Sequence, residues 1–298
     1  PERISLPMII SAAITTAELE VFGMAAIVAR PALNAKAIGL TFPFMKFPQV
    51  LQSGRLLRRY KRFLADVKLE DGVTVTVHCP NSGSMLGMCG EGFPVWFSTS
   101  DNPKRKLAHT LELVEADGTL VGVNTHRANG IAEEAIRQGE ISELAGYKSL
   151  RREVKYAGNS RIDLLLEDEA KAPCYVEIKS VTLRRNSGKK GGIAEFPDAV
   201  TARGTKHLHA LGAMVEKGAR AVMLYLFQRG DCKEFRIAAD IDTVYAKAFE
   251  HAQKAGVEIL CYNCKLSLMG IVLGNPIPIF SGEAKEPPEK RQMMKNTP

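Results

Sequence analysis

Short alternating runs of apolar and polar residues fill the stretch from residue 55 to residue 124. Runs of this kind, bounded by turn residues such as Asp117-Gly118, are typical of half-buried β-strands. Five short strands in one stretch favour a small barrel. An OB-like barrel fits this number, although the number alone leaves the topology open. The strands are predicted over residues 59–67, 73–78, 94–98, 109–114 and 120–123.

After residue 129 the hydrophobic period lengthens and helices alternate with strands. Gly218 and Gly256 follow two long helical patterns and are typical helix stops. Strands that alternate with helices indicate an α/β domain. Helices are predicted over residues 131–138, 144–156, 201–217 and 243–255, and strands over 162–166, 174–179, 221–227 and 257–262.

The two ends of the chain differ from the rest in composition. Residues 1–44 are rich in Ala and Ile, and their apolar run at 21–29 is too short to span a membrane. Acidic residues precede that run, where a secretory signal would carry basic ones. The last residues are rich in Glu, Lys and Pro, which is typical of disorder. The predicted division is an extension outside the fold at 1–44, a barrel domain at 45–125, an α/β domain at 126–281 and a disordered tail at 282–298.

Charge and cysteine usage narrow the class of protein. The 298 residues carry a formal net charge of +7, which favours polyanionic partners such as nucleic acid. The chain contains no stretch of about 18 apolar residues, so we expect no membrane-spanning helix. Cys261 and Cys264 form a lone Cys-x-x-Cys without a second pair of ligands, so we expect no zinc site. We also expect no organic cofactor. Reduced thiols in a cytoplasmic protein are the simpler interpretation.

The candidate chemistry lies on two neighbouring strands. Glu177 and Lys179 project to the same face because residues i and i+2 of a strand do so. Asp163 on the preceding strand can meet them if the strands pair. Two carboxylates and an ammonium can hold Mg²⁺ or Mn²⁺ and orient water for phosphodiester hydrolysis, with the Ile178 carbonyl as a further ligand. The alternative is a surface Glu–Lys pair with an unrelated Asp163.

Other residues extend this hypothesis. Glu153, placed on the helix before the Asp163 strand, is a candidate third acid for the metal, or else a solvated helical charge. Asp198 is interpreted as a helix cap. Arg203, Lys206 and His207 share a helical face that could hold the scissile phosphate or could simply be solvated.

Basic residues of the barrel suggest contacts to a nucleic-acid backbone. Tyr60 and Phe63 interleave with the cations of the strand at 59–67, a pattern that suits stacking but is equally typical of a barrel core. The loop at residues 81–84 offers backbone N–H groups and hydroxyls that could bind a phosphate. A tight turn that uses Gly83 accounts for the same residues at least as well. A basic stretch at residues 184–190 adds cations near the acids. The predicted nucleic-acid contacts are Arg58, Arg59, Lys61, Arg62, Asn81, Ser84, Arg161, Arg203, Lys206 and His207.

Several ordered segments of the chain resemble the sugar fermentation stimulation protein A family of bacteria. The resemblance implies an N-terminal OB fold followed by a PD-(D/E)XK nuclease-like α/β domain, a mixed α+β architecture. It also implies DNA binding with little sequence preference and a role in regulating maltose metabolism. The basic segment at 184–195 and Ala202 depart from the family pattern. The segments are residues 58–66, 78–85, 98–102, 152–156, 159–163, 176–183, 196–201, 203–204, 206–208 and 257–260.

These observations lead to one main hypothesis and two alternatives. The main hypothesis is a cytoplasmic DNA-binding protein with a Mg²⁺-dependent nuclease site. A DNA-binding regulator without turnover is the first alternative, and an RNA-processing role through the barrel is the second. Whether the protein is an enzyme, and its oligomeric state, stay open at the level of sequence.

Overall fold

The computed structural model describes residues 45–47, 49–156, 160–185 and 192–280. These described residues belong to one compact unit. The predictions made for residues 1–44 and 282–298 therefore lie outside the described residues. None of the described helices is long and apolar enough to cross a membrane.

The first layer of the molecule is the barrel. Its sheet has the order β4-β3-β2-β5-β6-β7, and a bridge between His78 and Thr110 joins β4 to β6. That bridge closes five strands into a barrel and leaves β7 as a hairpin partner of β6, which confirms the predicted OB fold. The barrel core is apolar, with Leu56, Val67 and Phe97 fully buried. The strands are β2 Gln52–Tyr60, β3 Leu64–Lys68, β4 Thr74–His78, β5 Pro94–Thr99, β6 His109–Ala116 and β7 Thr119–Gly122.

The single strand predicted over residues 59–67 is wrong, because this segment is a β-hairpin. The chain reverses between Tyr60 and Leu64, and Lys61 and Arg62 adopt positive φ angles of 45° and 65°. Non-glycine residues rarely adopt this conformation, and neither Gly nor Asn marks the turn. The alternation thus continued across a reversal that the residue types did not signal.

The second layer is a seven-stranded sheet with the order β1-β15-β14-β12-β10-β9-β8. Helix α1 covers one face, while α2 and α3 cover the other, so each face has its own apolar core. A two-stranded sheet pairs β11 with β13. The elements are β1 Met45–Lys46, α1 Arg127–Arg137, β8 Ser149–Tyr156, β9 Ser160–Asp168, β10 Lys171–Val181, β11 Gly192–Phe196, α2 Ala202–Glu216, β12 Arg220–Phe227, β13 Cys232–Ile237, α3 Thr243–Lys254, β14 Glu258–Ser267 and β15 Gly270–Pro276.

Two features of this layer differ from the predictions. Residues 144–156 form the end of a short 3₁₀ helix (Ser142–Leu144) and then strand β8, not a helix. The half-buried Leu150 and Val154 are four residues apart, a spacing that fits a helix and a strand equally well. Strand β1 starts the predicted barrel segment but pairs with β15 of the seven-stranded sheet.

All six cysteines are free thiols in the structure, as the sequence predicted. Cys261 and Cys264 are both on β14 but pack in the cores on opposite faces of the sheet, so the two thiols do not converge. Burial raises the pKa of both. Cys174 is fully buried.

Candidate metal centre and nucleic-acid surface

The site forms where strands β9 and β10 diverge. Their antiparallel pairing runs up to Leu164 and Val176. Just beyond that pair, the Ile178 amide donates to Asp163 Oδ2 at 2.7 Å rather than to a strand carbonyl. Asn129 of α1 donates its side-chain Nδ2 to Asp163 Oδ1 at 2.9 Å. Asp163 is therefore fixed in the gap between the strands by contacts to both carboxylate oxygens.

Glu177 and Lys179 project together from β10 towards helix α2, as the spacing predicted. Lys179 Nζ lies 2.6 Å from Glu177 Oε1. His207 Nδ1 of α2 contacts the same oxygen and lies 3.4 Å from Lys179 Nζ. Glu177 is only 2% exposed and His207 5%. A buried carboxylate of this kind needs partners, and these two side chains supply them.

The two carboxyl groups respond to the site in opposite directions. Burial, followed by the nearby charge of Glu177, raises the pKa of Asp163 above its ordinary value. Burial also opposes ionisation of Glu177, but the hydrogen bonds and charges of His207 and Lys179 outweigh it and lower the pKa of that carboxyl. Neighbouring acids of this kind gain from a shared cation, because it removes their mutual repulsion.

Two buried polar atoms at this site have no hydrogen-bond partner among the described residues. They are Glu177 Oε2 and the Tyr156 hydroxyl. Burial, then the charges of Glu177 and Asp163, raises the pKa of Tyr156, so its ring lies within electrostatic reach of both acids. A buried carboxylate oxygen without a partner is costly unless a ligand completes it. These oxygen atoms thus suit a hard divalent cation, because such cations prefer oxygen ligands.

A cavity of about 280 Å³ lies at the two acids. Asp163, Glu177, Lys179, Arg203 and His207 all line it. The structure therefore brings together the three residues predicted for chemistry and two of those predicted for phosphate contact. Arg203 is exposed, and its Nε lies 3.3 Å from His207 Nε2.

Three predicted residues of this domain lie away from the cavity. Glu153 is on strand β8, not on a helix, and it is exposed with a positive φ of 53°. It lies between Arg152 and Val154, which pair with Leu164 and Ile162, and it does not line the cavity. Lys206 and Arg161 are exposed outside the cavity lining.

Asp198 does not cap a helix, which corrects its predicted role. Thr201 is the N-cap of α2, and its hydroxyl accepts from the Gly204 amide at 3.1 Å. Asp198 Oδ2 instead accepts from the Met85 amide of the barrel at 3.1 Å. Asp198 therefore ties the segment before α2 to the barrel loop.

Among the basic barrel residues predicted to contact nucleic acid, some are exposed to solvent and one forms hydrogen bonds within the fold. Lys61 and Arg62 are exposed at the β2–β3 turn. The Arg58 side chain is 70% exposed although it pairs with Asp66 at 2.8 Å. Arg59, by contrast, donates to the carbonyls of Asn81, Gly83 and Ser84 at 2.7 to 3.2 Å. Its half-buried guanidinium holds the loop together.

The loop itself is a turn built by its own side chains. Asn81 is buried, and its Oδ1 accepts from the Gly83 amide at 2.8 Å. Ser84 is exposed, and its Oγ accepts from the Leu86 amide at 3.3 Å. The tight-turn interpretation thus accounts for Asn81, while Ser84 stays accessible.

Two arginines of the basic stretch after β10, Arg184 and Arg185, lie within the described residues, and both form ion pairs. Arg184 contacts Asp231 at 2.8 Å. Arg185 contacts Glu195 at 2.6 Å and also pairs with Asp240. The predicted cations at positions 189 and 190 lie outside the described residues. Arg184 and Arg185 therefore connect parts of the fold.

Sequence reasoning missed four residues around the cavity. Asn129 and Tyr156 contact or influence the acids, and Ser82 and Thr125 line the cavity from the barrel side. Asn129 was missed because it precedes the helix predicted over residues 131–138 and carries no motif. Tyr156 ends strand β8, which the sequence analysis assigned to a helix. Ser82 and Thr125 carry no motif and reach the site only through the packing of the barrel on the α/β layer.

Comparisons with known proteins agree with this architecture. A family model described as the SfsA N-terminal OB domain matches residues 57–123, and one described as the sugar fermentation stimulation protein RE domain matches residues 126–270. The sugar fermentation stimulation protein homolog of Maricaulis maris is 55% identical over 233 residues, which cover 78% of this chain and 97% of that protein. The homolog of Rhodospirillum centenum is 60% identical over 227 residues, covering 76% and 96%.

One solved structure is also similar. The structure of Pyrococcus furiosus SfsA in complex with Ca²⁺ superimposes with a TM-score of 0.71 at 25% identity. The match covers 80% of this chain and all of that one.

Proposed function

This chain belongs to the sugar fermentation stimulation protein family, and we propose that it binds DNA and hydrolyses phosphodiester bonds with a divalent metal ion. The observation that carries the proposal is the cavity in which Asp163, Glu177 and Lys179 converge, with a buried oxygen of Glu177 left without a partner. Acids with opposed pKa shifts beside a lysine are a typical catalytic arrangement.

Asp163 and Glu177 would hold the cation, Mg²⁺ or Mn²⁺, with the Ile178 carbonyl as a further ligand. When bound, the ion supplies Lewis acidity and a more acidic water. The described residues contain no group of three His, Cys, Asp or Glu side chains suited to a metal. Two carboxylates suffice for Mg²⁺, which usually keeps several waters. The Ca²⁺ complex of the Pyrococcus furiosus relative supports an oxygen-rich cation site.

The remaining residues have separate roles in this proposal. Lys179, held by Glu177, is placed to orient a water and to stabilise charge that develops on the phosphate. Arg203, exposed beside the cavity, is suited to hold the scissile phosphate. His207 is committed to Glu177 through Nδ1, so it positions that carboxylate rather than serving as a general base.

Cleavage of DNA tests the proposal. Supercoiled plasmid and single-stranded DNA are incubated with Mg²⁺ or Mn²⁺, and nicking is followed on gels. We expect cleavage by the unmodified protein and a loss of about 100-fold or more in Glu177→Gln. Glu167→Gln is the matched control, since Glu167 is a partly exposed acid that pairs with Arg151. Equal cleavage by both variants would overturn the proposed site.

A regulator that binds DNA without turnover is the second candidate. The exposed cations Arg58, Lys61 and Arg62 favour it, because they lie on the barrel and need no metal. The family name connects its members to sugar fermentation, and regulation of maltose metabolism would operate through such binding. Salt-sensitive, metal-independent binding of DNA without any cleavage would favour this candidate, and stronger competition by RNA would point to RNA instead.

A further inference from the structure

We propose that a second cavity, on the barrel, binds phosphate groups of the same single strand whose scissile bond enters the Asp163–Glu177 cavity. The proposal rests on the proposed DNA binding and extends it to a defined site. The barrel cavity has a volume of about 560 Å³. Its lining includes His78, Arg105, Thr110 and His126, none of which was predicted to contact nucleic acid.

The buried acid of this cavity is already neutralised. Glu112 is 1% exposed and receives two hydrogen bonds from Arg127, at 2.7 and 3.1 Å. Ser98 and Asn124 donate to it as well, at 2.8 and 2.9 Å. A carboxylate with four donors has no need of a cation. The cavity is therefore not a second metal site, and this acid does not repel an anion strongly.

Positive and polar groups face the remaining space. Burial, followed by the charges of Arg105 and His126, lowers the pKa of His78. His78 is therefore uncharged at neutral pH, and Arg105 supplies the fixed positive charge of the cavity. Arg105 Nη2 donates to Thr110 Oγ1 at 2.9 Å, which holds the exposed guanidinium at the cavity. Asp101 is the other acid of the lining, and it accepts from Gln49 at 3.0 Å.

These groups favour phosphate over a base. A phosphate that contacts the Arg105 guanidinium can also accept hydrogen bonds from imidazole N–H groups of His78 and His126. Hydroxyls of Ser100 and Thr110 add neutral donors, while Phe, Tyr and Trp are absent from the lining. Without such rings the cavity lacks the stacking surface that binds bases. The chemistry is that of a phosphodiester backbone.

The barrel cavity and the Asp163–Glu177 cavity, called the metal-site cavity below, are lined by neighbouring residues of the same two chain segments. Thr125 donates to the Pro80 carbonyl through its amide at 3.3 Å and through its hydroxyl at 2.8 Å, which joins two segments of the chain. Pro80 and His126 line the barrel cavity, whereas Ser82 and Thr125 line the metal-site cavity. Each cavity is thus lined by residues one or two positions from those lining the other. A strand in one cavity can continue into the other.

Binding of single-stranded DNA without metal tests the inference. Fluorescence anisotropy is measured with labelled oligonucleotides in EDTA, so that cleavage does not contribute. We expect Arg105→Ala/His126→Ala to weaken binding by about ten-fold or more and to flatten the dependence of log K on log salt by about 0.7, the change expected when the one fixed cation, Arg105, is removed. Arg137→Ala/His251→Ala is the matched control, since Arg137 and His251 are exposed at other places.

The outcomes separate this inference from the function on which it rests. If the unmodified protein binds no DNA, the proposed function fails. If it binds DNA and both double variants bind equally well, the barrel cavity is not the strand site and the inference alone is overturned. The source of the phosphate is tested by adding inorganic phosphate or a mononucleotide. Tight binding of either at the cavity, with unchanged DNA affinity in the Arg105→Ala/His126→Ala protein, would assign the cavity to small phosphates and would also overturn the inference.

Discussion

At the scale of single residues, the site is defined by two acids that the fold treats differently. Burial and the nearby charge of Glu177 raise the pKa of Asp163, and the hydrogen bonds that it accepts from Ile178 and Asn129 do not offset them. Glu177 contacts a lysine and a histidine, so its pKa falls despite deeper burial. Without a bound cation, Asp163 therefore costs the folded state free energy that Glu177 does not. The two acids should respond oppositely to removal of their charge.

Asp163→Asn should stabilise the protein in EDTA at neutral pH. The pKa of Asp163 in the folded protein lies above its ordinary value of 3.8. As the pH rises from 3.8 through the folded pKa, ionisation of this carboxyl therefore lowers the free energy of unfolding. The substitution removes this loss of stability. The Asn129 amide can turn to accept from the new amide. We expect the melting temperature to rise by about 2 °C, equivalent to roughly 1 kcal/mol. Differential scanning calorimetry measures this, and a lower melting temperature would contradict it.

Glu177→Gln should destabilise the metal-free protein. Its pKa is lowered from 4.5 in the folded state, so its contribution is present above that value and is lost as pH falls through the folded pKa. Removing the charge weakens the contacts to Lys179 and His207 and should cost about 1–3 kcal/mol at neutral pH. Urea denaturation should show this difference shrinking as the pH is lowered below 4.5. A difference independent of pH would argue against the ion pair.

At the scale of elements, the barrel loop and the segment before α2 form the junction at the cavity. Asp198 accepts from the Met85 amide, and a Cβ at Gly83 would lie 2.2 Å from Asp198 Oδ2. A side chain at position 83 would therefore displace this carboxylate. The loop that presents Ser82 to the cavity depends on that contact.

A double-mutant cycle tests this junction. Asp198→Ala leaves the Met85 amide without its partner and should cost about 1–3 kcal/mol. Gly83→Ala should be destabilising on its own because the carboxylate must move away. When Asp198 is already Ala, the space is open, so the two effects should sum to more than the cost of the double variant. Chemical denaturation of the four proteins measures the coupling, and strict additivity would contradict the close packing.

Most regular elements of the chain could be predicted from hydrophobic periodicity and stop signals. Gly218 and Gly256 follow their helices with positive φ, as expected of helix stops. The failures share one physical cause: the segment at 59–67 contains a turn without turn residues, and β8 is an edge strand whose pattern fits two periods. In both cases tertiary pairing decides the structure, and local sequence does not encode it.

At the scale of the whole molecule, the barrel and the α/β layer supply different parts of one surface. Asp163, Glu177 and Lys179 could be predicted because strand spacing determines which side chains share a face. Asn129, Ser82 and Thr125 could not, since only the docking of α1 and the barrel on the sheet brings them there. Cations counted equally in the sequence also prove unequal, as Arg59 and Arg185 hold the fold together while Lys61 is exposed.

The two classes of barrel cation should separate in experiment. Lys61→Ala/Arg62→Ala removes exposed charges and should change stability by less than about 0.5 kcal/mol. It should reduce the salt dependence of DNA binding. Arg59→Ala removes the donor to three loop carbonyls and should lower stability by about 1–3 kcal/mol. Urea denaturation and anisotropy at several salt concentrations give both quantities. Equal stability of the two variants would contradict the structural role of Arg59.

A calorimetric titration with Mn²⁺ and with Mg²⁺ tests most directly whether Asp163 and Glu177 form a metal centre. We expect the protein to bind a divalent cation, and we expect Asp163→Asn and Glu177→Gln to weaken this binding by about ten-fold or more. Glu167→Gln should bind as the unmodified protein does. Absence of binding, or binding of the same strength in all four proteins, would contradict a metal centre at Asp163 and Glu177.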